Sequence, residues 1–393
     1  MAVEKTLLII CDGMPDSEDE DGNTPLSTAY HPGLDFLAKN GLVGRLDLKY
    51  EKSADTDQGV LKILGCYDDS YPGRGYIEAL STDLEARKGD VCFRANFATL
   101  NGDGMLIDRR AGRDETGLEE LAKKLDGIEI NNIRFSVRRA VGHRLVIVMR
   151  RLDGKPLSWN IEGNDPKKTG VAVKQVAAKT RNGRITASAL NKFLRRVNKI
   201  LEEHPVNKKR KIPANTVLIR NIGHPTKTES FESRYNKKAC VIGYHSTIEG
   251  VAKFLGMDFV KPSGATGQED TDLHEKANAA LETLQKYDFV LLHVNAFDML
   301  SHDKKRDEKT AFIERFDQLV VRKILDNINL NKIVIAVTSD HYSNSLTKDY
   351  AHSTEPVPFV VCGAGIKSSG CEKYDEKNAV KFGTCKNLIE FLV

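Results

Sequence analysis

With 393 residues, 40% of them hydrophobic, the chain is long enough for two domains, or for one large domain carrying an insertion. Its 59 Lys and Arg against 55 Asp and Glu leave a formal net charge of +4, too small to imply nucleic acid or a membrane as partner through overall charge. The seven cysteines are odd in number and form no CxxC pair, so they are read as reduced thiols and a cytoplasmic setting is expected.

The first apolar run, "TLLIIC" (6–11), is too short for a signal peptide or a membrane span and ends at Asp12. Next comes the polar turn "SADT" (53–56), which leads into the helix-like "TDQGVLKILG". "PGRG" (72–75) carries Arg74. From about 81 to 170 the chain is rich in arginine and glycine: "FRANF" holds Arg94, "DRRAGR" holds Asp108, Arg109, Arg110 and Arg113, and His143 precedes the apolar "RLVIVM". Further on, "TASALNKFLRRVNKILEEH" spaces Leu190, Phe193, Leu194, Val197 and Leu201 as one face of a helix that ends before Pro205. "NKKRK" (207–211) has no interleaved aromatic and is read as a solvated loop. The remaining apolar runs are "NTVLIR", "DFVLLHV", "KIVIAVT" and "PFVVCG".

Continuous apolar runs of this kind predict parallel strands buried on both faces, and their alternation with helices predicts an α/β, doubly wound, mostly parallel sheet. The expected division is a core domain of residues 1–80 and 171–393, with 81–170 as an inserted α+β cap. Ligands in such a sheet bind beyond the carboxyl ends of the strands. Three runs end in ligand-type residues: Asp12; Asp298 with His302 four residues on; and Asp340-His341, followed by His352. Each alone is explained by helix capping or a turn. Three aspartates and three histidines at the strand ends of one sheet instead suggest metal. Mixed carboxylate and imidazole donors suit Mn²⁺ or Mg²⁺, with Zn²⁺ also admissible. Six donors suffice for two ions, and two ions about 3.5–4 Å apart serve phosphoryl transfer. "GATG" (264–267) and "CGAG" (362–365) lack the residues of phosphate or dinucleotide loops and are read as turns.

The order of these residues, with "CDGMPD", "NTPLSTA", "YPGRGYIEAL", "DRRAGR", "HVNAFDMLSHD", "SDHYS" and "HSTEPVP" in collinear succession, resembles the archaeal-type cofactor-independent phosphoglycerate mutases of the alkaline phosphatase superfamily. The resemblance covers nearly the whole chain and implies an alkaline-phosphatase-like core. It also implies interconversion of 3-phosphoglycerate and 2-phosphoglycerate without 2,3-bisphosphoglycerate. By that resemblance Asp12, Asp340 and His341 hold one ion, and Asp298, His302 and His352 the other. Thr56 takes the place of the family's nucleophilic serine and touches metal, with Ser53 as the alternative; its reading as a helix N-cap stands beside this one. Arg74, Arg94, Arg109, Arg110, Arg113 and His143 are expected to bind substrate, Asp108 or Asp165 to move protons. The expected partner is a small phosphorylated substrate, with no nucleic acid or membrane, and the assembly a monomer or small homo-oligomer. Where the family has a lysine before the glycine of "HSTIEGVAKFLG", this chain has Glu249, so either another basic group, Lys237, Lys238 or His245, supplies the charge or the transfer geometry differs. That departure and Thr56 keep two other readings open: a metal-dependent phosphatase or mutase for another small phosphoester, or a catalytically altered paralogue.

Overall fold

The computed structural model describes residues 4–50, 55–347 and 352–393, which form two compact units. The first comprises the described residues up to Asp69 together with Glu229–Val393; the second is Ser70–Thr228. Ser53 lies outside the described residues.

The first unit is built on an eight-stranded sheet. Its strand order is Asp258–Val260, Ala239–Ile242, Phe289–Val294, Lys5–Cys11, Ile333–Thr338, Val357–Gly363, Leu42–Leu46, Thr384–Cys385. All run one way except Val357–Gly363, which is antiparallel to both neighbours. The runs "TLLIIC", "DFVLLHV" and "KIVIAVT" are its three central strands and are almost wholly buried, as expected for strands covered by helices on both faces. Helix Leu273–Lys286 packs Leu273, Ala277, Ala280 and Leu284 into the same core as Phe297, Phe312 and Phe316. The doubly wound, mostly parallel sheet is thus present.

The second unit is a seven-stranded antiparallel sheet. It contains "RLVIVM" in Arg144–Arg151 and "NTVLIR" in Thr216–Gly223, two runs expected in the parallel sheet. Their unbroken hydrophobicity has another cause: helix Gly183–Glu203 covers one face, with Phe193 stacked on Phe135 at 4.1 Å. Ala79, from helix Arg74–Leu80, packs with Val146 and Val148. A run buried on both faces reads the same whichever way its neighbours point.

The same packing moves the expected boundary. Residues 171–228 belong to the second unit because Leu190, Phe193, Val197 and Leu201 share its core, and Arg74 belongs there too. Among the described residues, no helix is long and apolar enough to cross a membrane.

Candidate metal and phosphoryl-transfer site

Register brings the central strand ends of the first unit level: Cys11 pairs with Val294, and Ile10 with both His293 and Thr338. The residues just beyond these ends therefore meet. Asp12 Oδ1 is 3.2 Å from His341 Nε2, which is 3.4 Å from Asp340 Oδ2. Asp298, in the first turn of helix Ala296–His302, has Oδ2 3.3 Å from His302 Nε2 and Oδ1 3.1 Å from His352 Nε2. The two imidazole nitrogens of His302 and His352 are 3.1 Å apart, and the His352 ring stacks on His341 at 3.9 Å. All six expected donors form one cluster.

Neighbours hold these donors in place. The Gly13 N–H donates to Asp340 Oδ1 at 3.2 Å, and a Cβ on Gly13 would stand 2.4 Å from Ser343 Oγ. With φ at 64°, the glycine of "CDG" is needed for both conformation and space. The Ser343 hydroxyl donates to Asp298 Oδ1, and the fully buried Lys309 ammonium donates to Gly13 O and Asp16 Oδ2, each at 2.9 Å.

The donor set fits a divalent cation on a structural test. Asp12 Oδ1, Asp340 Oδ2, His341 Nε2 and His293 Nε2 are buried without a hydrogen-bond partner among the described residues. Each such atom costs about 1–3 kcal/mol unless something satisfies it. Burial, followed by the charges of Asp340 and Asp298, raises Asp12 well above the usual carboxylate range. Burial would raise Asp298 too, but its hydrogen bonds with His302 and His352 bring it well below that range. Carboxylates crowded this closely need positive charge among them.

Thr56 opens helix Thr56–Ile63 as its first residue, and Asp55 occupies the N-cap position assigned in the alternative reading to Thr56. This helix packs on the cluster: a Cβ on Gly59 would lie 2.7 Å from Asp340 Cβ, and Tyr50 Oη donates to Asp340 O at 2.5 Å.

Besides Lys309, two basic groups near the cluster have no counterpart in the sequence reading. His293 is buried inside "FVLLHV", with Nε2 3.7 Å from Asp12 Oδ2. Lys276 is buried, its ammonium 3.4 Å from His293 O, and burial lowers its pKa to about 8. A lysine on the apolar face between Leu273 and Ala277 was the available signal.

The second unit carries its own constellation. Buried Glu78 accepts from Arg74 Nε at 3.1 Å and lies 3.2 Å from Arg94 Nε. Asp165 takes a two-pronged contact from Arg109, at 3.1 and 2.7 Å, and lies 2.9 Å from Arg220 Nε. Burial lowers His143 to about pKa 3, helped by the charges of Arg144, Arg110, Arg94 and Arg113. Guanidinium is thus in excess, which is the field an anionic ligand requires. A cleft of about 400 Å³ is lined by Ile107, Asp108, Arg109, Arg110, Gly112 and Arg113. Arg220 joins the candidates of the sequence reading. Burial would raise the Asp165 pKa, but its hydrogen bonds with Arg109 and the Lys167 N–H and the charge of Arg220 outweigh it and lower the pKa.

Residues 4–388 match the model of the metalloenzyme superfamily. The chain is 38% identical to the 2,3-bisphosphoglycerate-independent phosphoglycerate mutase of Methanopyrus kandleri, over 96% of this chain and 92% of that protein. The corresponding enzyme of Pyrococcus furiosus is 37% identical over 98% and 94%. The chain belongs to the 2,3-bisphosphoglycerate-independent phosphoglycerate mutase family. A solved structure from Pyrococcus horikoshii is similar with TM-score 0.82 and 29% identity, covering 100% of this chain and 97% of that one. The cofactor-independent phosphoglycerate mutase of Thermoplasma acidophilum is similar with TM-score 0.66 and 29% identity, covering 99% and 98%.

Against the family pattern, Glu249 is paired with Lys253 at 2.8 Å on helix Ser246–Phe254, so its charge is met locally. Of the expected substitutes, Lys238 lies over the Tyr287 ring, while the charge of His245 acts on His293. Lys276 and Lys309 are both buried ammonium groups beside the cluster.

Proposed function

We propose that the protein interconverts 3-phosphoglycerate and 2-phosphoglycerate, as in glycolysis and gluconeogenesis, by phosphoryl transfer through phospho-Thr56 without 2,3-bisphosphoglycerate. The observation that carries this reading is the Asp and His cluster with its unpartnered donors, against which the helix starting at Thr56 is packed. Asp12, Asp340 and His341 would hold one divalent ion, and Asp298, His302 and His352 a second, with Mn²⁺ or Mg²⁺ favoured and Zn²⁺ admissible. Bound there, such ions lower the pKa of a hydroxyl and neutralise charge on a transferring phosphoryl group.

Thr56, as its alkoxide, attacks phosphorus through Oγ1 in line as the glycerate oxygen departs, and the helix N-terminus favours the resulting anion. Asp108, beside the cleft arginines, donates a proton to the departing oxygen. Arg74, Arg94, Arg109, Arg110, Arg113 and His143 hold the glycerate while it reorients, guanidinium forks matching carboxylate and phosphate oxygens. Its other hydroxyl then attacks phospho-Thr56, giving up its proton to Asp108, and Thr56 is regenerated. The second unit acts in this reading as the substrate-binding insertion. A small phosphorylated acid as sole partner, a monomeric or small homo-oligomeric assembly and a cytoplasmic setting belong to the same proposal.

The test is turnover of 3-phosphoglycerate coupled to enolase in Mn²⁺, run beside a phosphate-release assay. Mutase activity without free phosphate is expected. Stoichiometric phosphate release instead assigns a phosphatase, in which water rather than the retained alcohol attacks phospho-Thr56. No turnover of any phosphoester with metal bound assigns a catalytically altered paralogue.

A further inference from the structure

The ligand set expected from the family motifs leaves one donor in the cluster unused. His293 is 1% exposed, and its Nε2 has no hydrogen-bond partner among the described residues. A histidine buried only for packing normally has its ring nitrogens satisfied, because leaving one bare costs about 1–3 kcal/mol.

The bare nitrogen faces carboxylates. It is 3.7 Å from Asp12 Oδ2, and donor atoms of Asp12, His293 and Asp340 all lie within 4.8 Å of one another. Donors sharing one ion at bonds of about 2.0–2.2 Å stand roughly 3–4 Å apart. The two oxygens of Asp12 also divide their neighbours: Oδ1 is near His341, and Oδ2 is near His293. Asp12 Oδ1, Asp340 Oδ2, His341 Nε2 and His293 Nε2 are buried without a hydrogen-bond partner among the described residues, so each of these four residues brings an unmet donor to the cluster.

We infer that His293 is itself a metal ligand, binding through Nε2 a divalent cation shared with Asp12 and Asp340. This rests on the metal-dependent reading proposed above and adds a donor to it. A second imidazole beside His341 makes this end of the cluster richer in nitrogen, which favours Zn²⁺ or Mn²⁺ over Mg²⁺. His293 lies on a central strand rather than in a loop, so its donor atom is held by the sheet itself.

The test uses the full chain with ¹⁵N-labelled imidazoles, stripped by chelator and titrated with Zn²⁺. Of its ten histidines, four are expected to show metal-bound Nε2 resonances at saturation: His293, His302, His341 and His352. The resonance lost in His293→Gln assigns the fourth. By calorimetry that variant should bind one Zn²⁺ at least about tenfold more weakly, with Mg²⁺ affinity little changed. Movement of the other three without His293 overturns this inference and leaves the two-ion proposal standing; movement of none overturns both. The wild-type count decides the matter even if the Gln variant fails to fold.

Discussion

Arg210 Nη2 donates to Ala111 O at 2.9 Å, tying a residue of the basic run "NKKRK" to the turn "DRRAGR". The same guanidinium donates to Asp114 O at 2.8 Å, to Ile212 O at 3.2 Å and to Thr116 O. The turn needs such a clamp. Ala111, Gly112 and Arg113 have φ of 46°, 71° and 56°, a succession of left-handed residues in which two carry side chains. Arg210→Met should destabilise the protein by about 2–4 kcal/mol by leaving these carbonyls unmet. It should also raise KM for 3-phosphoglycerate more than it lowers kcat. Denaturant unfolding and saturation kinetics check the two effects, and an unchanged KM would remove the link between turn and substrate.

Thr56→Ala is expected to lower kcat by at least about a thousandfold while leaving Mn²⁺ binding measurable, because a nucleophile is lost without disturbing the Asp and His donors. Thr56→Ser should retain turnover, since it keeps the hydroxyl and removes only the methyl. Full activity in the alanine variant assigns the nucleophile elsewhere.

Chelation should lower thermal stability as well as activity. The carboxylates of Asp12, Asp298 and Asp340 then face one another with unmet donors. An ion bound at 100 times its Kd adds about 2.7 kcal/mol to the folded state. Melting temperature followed against Mn²⁺ concentration reads this directly. A midpoint independent of metal rules it out.

His143 gives a pH dependence with a definite sign. Its pKa falls from 6.5 to about 3 through burial and the Arg144, Arg110, Arg94 and Arg113 charges. The unfolded chain therefore binds a proton more readily than the folded one. Its contribution to stability is full above pH 6.5 and is lost progressively as pH falls toward 3. His143→Gln should flatten the decline between pH 7 and 4 in unfolding midpoints. An anion bound among those arginines should raise the pKa, giving proton uptake on 3-phosphoglycerate binding near pH 5. Identical pH slopes in the two proteins would count against this assignment.

Asp108 and Asp165 should separate kinetically. Asp165→Asn loosens Arg109 and Arg220, so a higher KM is expected with the shape of the kcat–pH profile retained. Asp108→Asn should depress kcat and erase one limb of that profile. If Asp165→Asn erases the limb instead, the two roles are reversed.

Asp12, Asp298, His302, Asp340, His341 and His352 could be found in the sequence because a parallel sheet collects the carboxyl ends of its strands on one edge. Polar residues directly after an apolar run declare themselves there. His293 did not, because inside "FVLLHV" it reads as one more strand position, and only the register with Ile10 puts it beside Asp12. Lys276 was similarly hidden on the buried face of a helix. The runs "RLVIVM" and "NTVLIR" announced strands covered on both faces but not their direction.

The strands, the helices and the strand-end donors follow from local pattern, because hydrophobic period and position along a run depend only on near neighbours in the chain. Tertiary structure alone decided that residues 171–228 join the second unit, that Arg210 fastens a turn about a hundred positions earlier, and that Arg220 and Arg109 share Asp165. Those outcomes depend on which buried surfaces and which unmet polar groups come together across the folded chain, and no local window contains both partners.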